Sequence, residues 1–150
     1  MAQEVYFKDI RNVIIDNLLN CKYDLKIAVA WFTDEKIIST VNSLLLQGVN
    51  VTIIIYDDHI NKKDLFEKLH YNKAKILLSK KLMHHKFCVI DEITVINGSY
   101  NWTNSAKTND ENIQITFNDK IFAKNFTEEF NKIISNCNKI DDYFKHSVLN

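Results

Sequence analysis

Two apolar runs, LKIAVAWF (25–32) and VTIIIY (51–56), stand far enough apart for a helix to lie between them. That spacing limits the folds open to the chain. Both runs are short, rich in β-branched residues and bounded by polar ones, as buried strands are. Between them, Asp34 occupies an N-cap position, and Ile37, Ile38, Val41, Leu44 and Leu45 fall on one helical face. Gly48 follows as the residue that ends the helix. A crossover of this length makes the two strands parallel partners in a right-handed unit. A short helix near 62–70 and a strand near 75–79 repeat the unit. FCVI (87–90) and ITVI (93–96) flank Asp91-Glu92, which reads as a tight hairpin, and ENIQITF (111–117) alternates like another strand.

Residues 5–20 carry Ile10, Val13, Ile14 and Leu18 at helical spacing, a first amphipathic helix. Phe122, Phe126, Phe130 and Ile133/Ile134 make an apolar stripe on a last helix packed against the sheet. The expected class is α/β, with a mixed, largely parallel sheet flanked by helices on both faces. With 150 residues, no proline and no Ser/Gly-rich linker, a single domain over 1–150 is expected.

Formal charge is zero, which counts against a simple DNA-coating protein. The distribution is uneven, however: six lysines and no acid lie between Lys68 and Ile90. Three cysteines with no CxxC spacing argue against a disulfide framework or zinc ribbon and for a reducing compartment. The N-terminus lacks the apolar core of a signal peptide, and no window approaches 18 uninterrupted apolar residues. A cytoplasmic protein without stable membrane association is expected.

The lysine-rich run closes on HHKFCVIDEITVINGSYN (84–101). Alternate side chains of a strand share a face, so His84 and Lys86 point the same way, roughly 6.6 Å apart along the strand. The imidazole can attack phosphorus while the ammonium offsets charge on the non-bridging oxygens and keeps the nucleophile neutral. Gly98 lets backbone approach an anion, and Ser99 and Asn101, of equal parity, can donate to the same oxygens. A zinc site of His84, Cys88 and His70 is conceivable but has no supporting ligand spacing.

The string His84-x-Lys86-(x)4-Asp91-(x)6-Gly98-Ser99-x-Asn101 resembles, without a gap, the signature of the phospholipase D superfamily. Trp102-Thr103 and Glu111-Asn112 are similar to residues of its small bacterial nuclease branch. The resemblance implies a metal-independent phosphodiesterase working through a phosphohistidine and needing no cofactor. The family uses two HxK motifs per active site, and this chain has one. His59, His70, His85 and His146 have no lysine two residues on. A C2 homodimer, with one composite site on its axis, would supply the second. Glu111 is then the candidate to hold the His84 ring. Asp91 belongs to the family's catalytic signature, although its parity and turn position suit a residue that pins the hairpin. Lys80 and Lys81 are candidate contacts to a polyanion backbone, and His85 a residue that packs or meets substrate. Trp102, with Tyr100, could stack on bases, or Trp102 could be core. Nucleic acid, DNA before RNA, is the expected partner. The alternatives are a phospholipid-hydrolysing enzyme and a nuclease effector domain of a bacterial defence system, latent until triggered.

Overall fold

The computed structural model describes residues 2–149, with side chains to Lys145. The elements run β1 (Ala2–Tyr6), α1 (Ile10–Leu18), β2 (Asp24–Val29), α2 (Glu35–Leu46) and β3 (Asn50–Tyr56). A 3-10 turn (Lys63–Phe66) leads into α3 (Glu67–Tyr71), followed by β4 (Lys75–Ser79), β5 (Lys86–Ile90) and β6 (Thr94–Gly98). A second 3-10 turn (Ser105–Thr108), β7 (Ile113–Phe117), α4 (Lys120–Ile134), β8 (Cys137–Lys139) and α5 (Asp141–Leu149) complete the chain. The strands form one sheet in the order β1-β7-β6-β5-β2-β3-β4-β8.

The crossover expected from the two apolar runs is present: β2 pairs in parallel with β3, Ile27 opposite Ile53, and β3 with β4. Helix α2 between them is capped at both ends as its sequence requires. The Asp34 carboxylate accepts from the Lys36 and Ile37 N–H groups at 3.0 and 3.4 Å. At the other end Gly48 takes a φ of +95°, and the Gly48 and Val49 N–H groups donate to the carbonyls of Leu45 and Leu44. That pairing satisfies two of the carbonyls a helix end leaves over.

The sheet is mixed, but it is not largely parallel. The β2–β5, β5–β6, β6–β7, β1–β7 and β4–β8 pairings are all antiparallel, which leaves two parallel pairings of seven among the described residues. After β4 the strands β5, β6 and β7 follow one another with no α-helix between them and pair antiparallel with their neighbours, and α4 then carries the chain across to β8, which lies antiparallel to β4. Asp91 and Glu92 hold φ of +52° and +61° at the β5–β6 turn, the left-handed pair that a tight hairpin needs.

Both edge strands escape the periodicity reading. Val5 and Tyr6, the first residues of the helix expected over 5–20, belong instead to β1, whose side chains are almost all exposed and whose backbone bonds to β7. Strand β8 is three residues long. Neither buries an alternate face, so neither leaves a two-residue pattern to detect.

Helices cover both faces. One core packs Leu25, Ile27, Ile53, Ile55, Cys88 and Ile90 of the sheet against α1, α2, α3 and Phe144 of α5. The other packs Ala28, Ile54, Phe87, Val89 and Val95 against Ala123 and Phe130 of α4. The phenylalanine stripe of α4 does what its spacing predicts: Phe126 and Phe87 meet edge to face at 4.9 Å. The alternation along β5 therefore commits Cys88 and Ile90 to one core and Phe87 and Val89 to the other. Since β5 runs antiparallel to β2, its beginning lies beside the carboxyl ends of the parallel strands, the edge where open α/β sheets place their sites.

Candidate active site

His84 precedes β5, and Lys86 is its first residue. The ladder nevertheless continues past the strand's formal start, because the Ala30 N–H donates to the His85 carbonyl at 2.9 Å. The two side chains consequently share a side, as the alternation predicts. Lys86 Nζ lies 3.0 Å from His84 Nδ1, 3.1 Å from Nε2 and 2.7 Å from the His84 carbonyl oxygen. Equal distances to both nitrogens mean that the ammonium lies along neither in-plane lone pair, which leaves the imidazole open to an electrophile. Partial burial draws the Lys86 ammonium below its ordinary value, and the Glu111 charge opposes the shift. The Trp31 ring stands edge-on to His84 at 5.7 Å and an 83° interplanar angle.

Opposite, β6 ends at Gly98 and delivers Ser99 to the same cleft as His84 and Lys86. The Ser99 hydroxyl donates to Glu111 Oε1 at 2.5 Å and accepts from the Asn112 N–H at 3.1 Å. Asn109 Nδ2 donates to the other Glu111 oxygen at 3.2 Å. Glu111 therefore orients Ser99 and acts on Lys86 through charge; it does not hold the His84 ring, as the resemblance led us to expect. Asn101 Oδ1 lies 3.4 Å from the Trp31 N–H, so Asn101 and His84 flank the same tryptophan. Gly98 has a reason other than anion approach. A Cβ there would fall 2.2 Å from the Asn112 carbonyl oxygen, so the glycine is what lets β7 enter beside β6.

Asp91 does not join this cluster. It sits at the far end of β5, where its carboxylate accepts from the N–H groups of Lys22 (2.9 Å), Tyr23 (2.9 Å) and Asp24 (3.0 Å). Burial alone would raise its carboxyl. The backbone bonds from Asp24, Tyr23 and Lys22, with the Cys21 thiol, outweigh that and hold it below the usual range. The residue fastens the hairpin to the entry of β2, a structural duty within a catalytic signature.

Of the two readings of Trp102, the structure bears out core and not stacking on bases. It is 2% exposed and packs edge-on against Phe32 at 5.1 Å, so it is core and cannot stack on a base. Tyr100 is equally buried. His85 is exposed, stands over Phe87 and lines the clefts on either side of His84. Lys80 and Lys81 are exposed, and Lys81 lines one of those clefts with Lys132 of α4. The conceivable zinc ligands do not converge: Cys88 is buried in the core, while His70 packs on Phe144.

Sequence reasoning passed over Trp31. It belongs to the run LKIAVAWF and there looks like more core. Its indole Nε1 donates to Asp58 Oδ2 at 2.9 Å, and the buried Asn61 ties Phe32 N–H to the carbonyls of Ala30 and Tyr56. An amphipathic ring at the end of a buried strand is the signal that marks it, since the indole N–H needs a partner.

A family model described as "Cardiolipin synthase, PLD-like domain" matches residues 14–134, which contain every residue of the cluster. A mitochondrial cardiolipin hydrolase of Chlamydomonas reinhardtii is 34% identical over 79% of this chain and 55% of its own length. The chain belongs to the phospholipase D superfamily. It spans about half the length of the curated relatives it matches. Among solved structures, the phospholipase D family member Nuc from Salmonella typhimurium superposes with a TM-score of 0.86 at 19% identity, covering 92% of this chain and 97% of that one. NucT from Helicobacter pylori gives 0.77 at 23%, covering 92% and 98%. At such identities these two establish the shared fold of this phospholipase D-like chain. No helix among the described residues is long and apolar enough to cross a membrane.

Proposed function

We propose that this phospholipase D-like chain is a metal-independent phosphodiesterase that cleaves DNA, or RNA, at a site shared by two copies of the chain. The carrying observation is that each chain presents a single exposed His84–Lys86 pair beside Ser99. In this reading His84 of one copy attacks phosphorus and forms a P–N bond as the P–O bond to the leaving group breaks. The second copy's imidazolium gives its proton to the departing oxygen. Water then attacks phosphorus, loses a proton to that second imidazole, and releases the first histidine. Lys86 and Ser99 meet the non-bridging oxygens in both steps. Lys81 and Lys132 beside His84 suit a strand's flanking phosphates. All three cysteines are free thiols, which suits a cytoplasmic setting.

The test is plasmid and oligonucleotide cleavage in EDTA, together with mixing of wild-type and His84→Ala chains. If both imidazoles act on one phosphorus, activity falls with the square of the wild-type fraction. A linear decline, or activity that depends on added metal, rejects the shared site.

A phospholipid substrate is favoured by a different observation, the name cardiolipin hydrolase borne by the relatives. Leu82, 55% exposed and two residues from His84, offers an apolar edge to such a substrate. Plasmid and cardiolipin-containing vesicles incubated side by side separate the two readings, since the chemistry at phosphorus is the same.

A further inference from the structure

The cleft that holds His84, Lys86 and Ser99 measures about 470 Å³, within the range of sites that take a small molecule and far more than a phosphate group fills. His85, Asn97 and Phe126 also line it and have no part in the proposed reaction. Strand alternation explains where they stand. Val89 and Val95 face α4 in the second core, and Phe87 pairs with Asn97 in the β5–β6 register. Asn97 is therefore on the core-facing side of β6, at a place where the alternation calls for an apolar side chain. It carries a carboxamide there and is half-buried.

The surroundings of that carboxamide are aromatic. His85 stands edge-on to Phe87 at 5.3 Å and 74°, and Phe126 meets the same ring at 4.9 Å and 69°. The exposed imidazole of His85 and the half-buried ring of Phe126 thus flank Phe87 beside Asn97. An amide taken from water costs free energy unless it is bonded. A polar group placed among rings at the mouth of a cleft suits a ligand with apolar faces and a hydrogen-bonding edge. The Ser99 N–H donates to the Asn112 carbonyl at 3.0 Å, which continues the ladder past Gly98. Asn97 and Ser99, of equal parity, are then roughly 6.6 Å apart along the strand. A sugar bridges that gap between a phosphate at Ser99 and a base at Asn97.

We infer that this part of the cleft is a nucleobase subsite, in which Asn97 reads the base edge and the rings of His85 and Phe126 pack against the base. A carboxamide offers an acceptor oxygen and an amino donor side by side, the pattern that pairs with N6 and N7 of adenine. Adenine is accordingly the preferred base. Lys81 and Lys132, on the other side of His84, would serve a lipid phosphate as well as a nucleic acid. A carboxamide among aromatic rings separates the two. This assignment rests on the proposed reaction for one point alone, the phosphate at Lys86 and Ser99.

The probes are the 5′-monophosphates of deoxyadenosine and thymidine, deoxyribose 5-phosphate and glycerol 3-phosphate, each titrated into the His84→Ala chain so that binding is read without turnover. The adenine nucleotide should bind about tenfold more tightly than the thymine one, as one bidentate contact allows, and should shift the Asn97 side-chain amide in a 15N-correlated spectrum. Asn97→Val restores the alternation of β6 and should melt no lower than the parent, while the two nucleotides become equal in affinity. Phe126→Leu keeps an apolar body and should weaken both nucleotides several-fold, with deoxyribose 5-phosphate unaffected. Cleavage of a mixed-sequence oligonucleotide in EDTA keeps the two proposals apart. Adenine-selective binding without cleavage rejects the reaction and retains the subsite, whereas cleavage without a base bias that Asn97→Val removes retains the reaction and rejects the subsite. If glycerol 3-phosphate binds as tightly as the adenine nucleotide, or if Asn97→Val keeps the parent's preference, the assignment is overturned and Asn97 is only a cross-strand neighbour of Gln114.

Discussion

Replacing Asp91 separates a structural from a catalytic role for a residue inside the family signature. Its carboxylate holds three backbone N–H groups at 2.9–3.0 Å, and the residue is 7% exposed. In Asp91→Ala those donors lose a charged acceptor. At about 1.5–3 kcal/mol for each such bond when buried, and less where water can enter, the loss comes to about 3–5 kcal/mol. The left-handed φ of +52° adds roughly 1 kcal/mol for a residue with a Cβ and no polar side chain. Natural domains are stable by about 5–15 kcal/mol, so the alanine variant should lie near the edge of folding. Asp91→Asn keeps one acceptor oxygen and tolerates the left-handed turn, and should lose only about 1–2 kcal/mol. The pH sign follows from a carboxyl held low. Its contribution is complete above the unfolded value near 3.9 and disappears as pH falls through the folded value, so wild type and Asp91→Asn should converge in acid. Urea midpoints followed by tryptophan fluorescence, at neutral and acidic pH, measure both effects. Asp91 is roughly 20 Å along the strand from His84, so folded Asp91→Asn should retain its turnover. An asparagine variant as stable as wild type but without turnover would refute the structural assignment.

Gly98→Ala should lower the melting temperature sharply, by the equivalent of about 2–4 kcal/mol, because its Cβ would fall 2.2 Å from the Asn112 carbonyl oxygen, a backbone atom. Trp102→Ala should cost about 3–5 kcal/mol in denaturation, and Trp102→Phe should bind substrate as wild type does, since the ring reaches no solvent. Trp31→Phe, which removes the bond to Asp58 while keeping a ring beside His84, should lower stability by about 1 kcal/mol and leave turnover within a few-fold. The ammonium of Lys86 is drawn below its ordinary value by burial, so an alkaline fall in activity should set in below the pH of an ordinary lysine, and Lys86→Arg should abolish that limb in the activity that remains.

The elements that bury a face were legible before any coordinates. β2, α2 and β3 were readable because β-branched runs and an Asp…Gly-capped helix leave strong periodic marks. The α4 stripe and the Asp91-Glu92 turn were readable for similar local reasons. Strands β1 and β8 were not, since an edge strand held by backbone bonds makes no demand on side-chain alternation. The same contrast holds at the site. His84, Lys86 and Ser99 could be placed together from strand parity and motif spacing, both of which are local. The partner of Glu111 could not, because it depends on where β7 enters beside β6, an approach set by the missing Cβ of Gly98.

What the order of residues decided is which groups this chain can bring to one cleft, because alternation along β5 sends every second side chain to one side whatever the rest of the molecule does. What only the folded chain decided is which of the signature's residues line the cleft and which hold the frame. Asp91 and Trp102 stand in the motif beside His84 and Asn101, yet one is fastened to the α1–β2 connection and the other is sealed in the core. Such assignments depend on contacts between segments about 70 residues apart, and neither composition nor spacing along a chain carries that information.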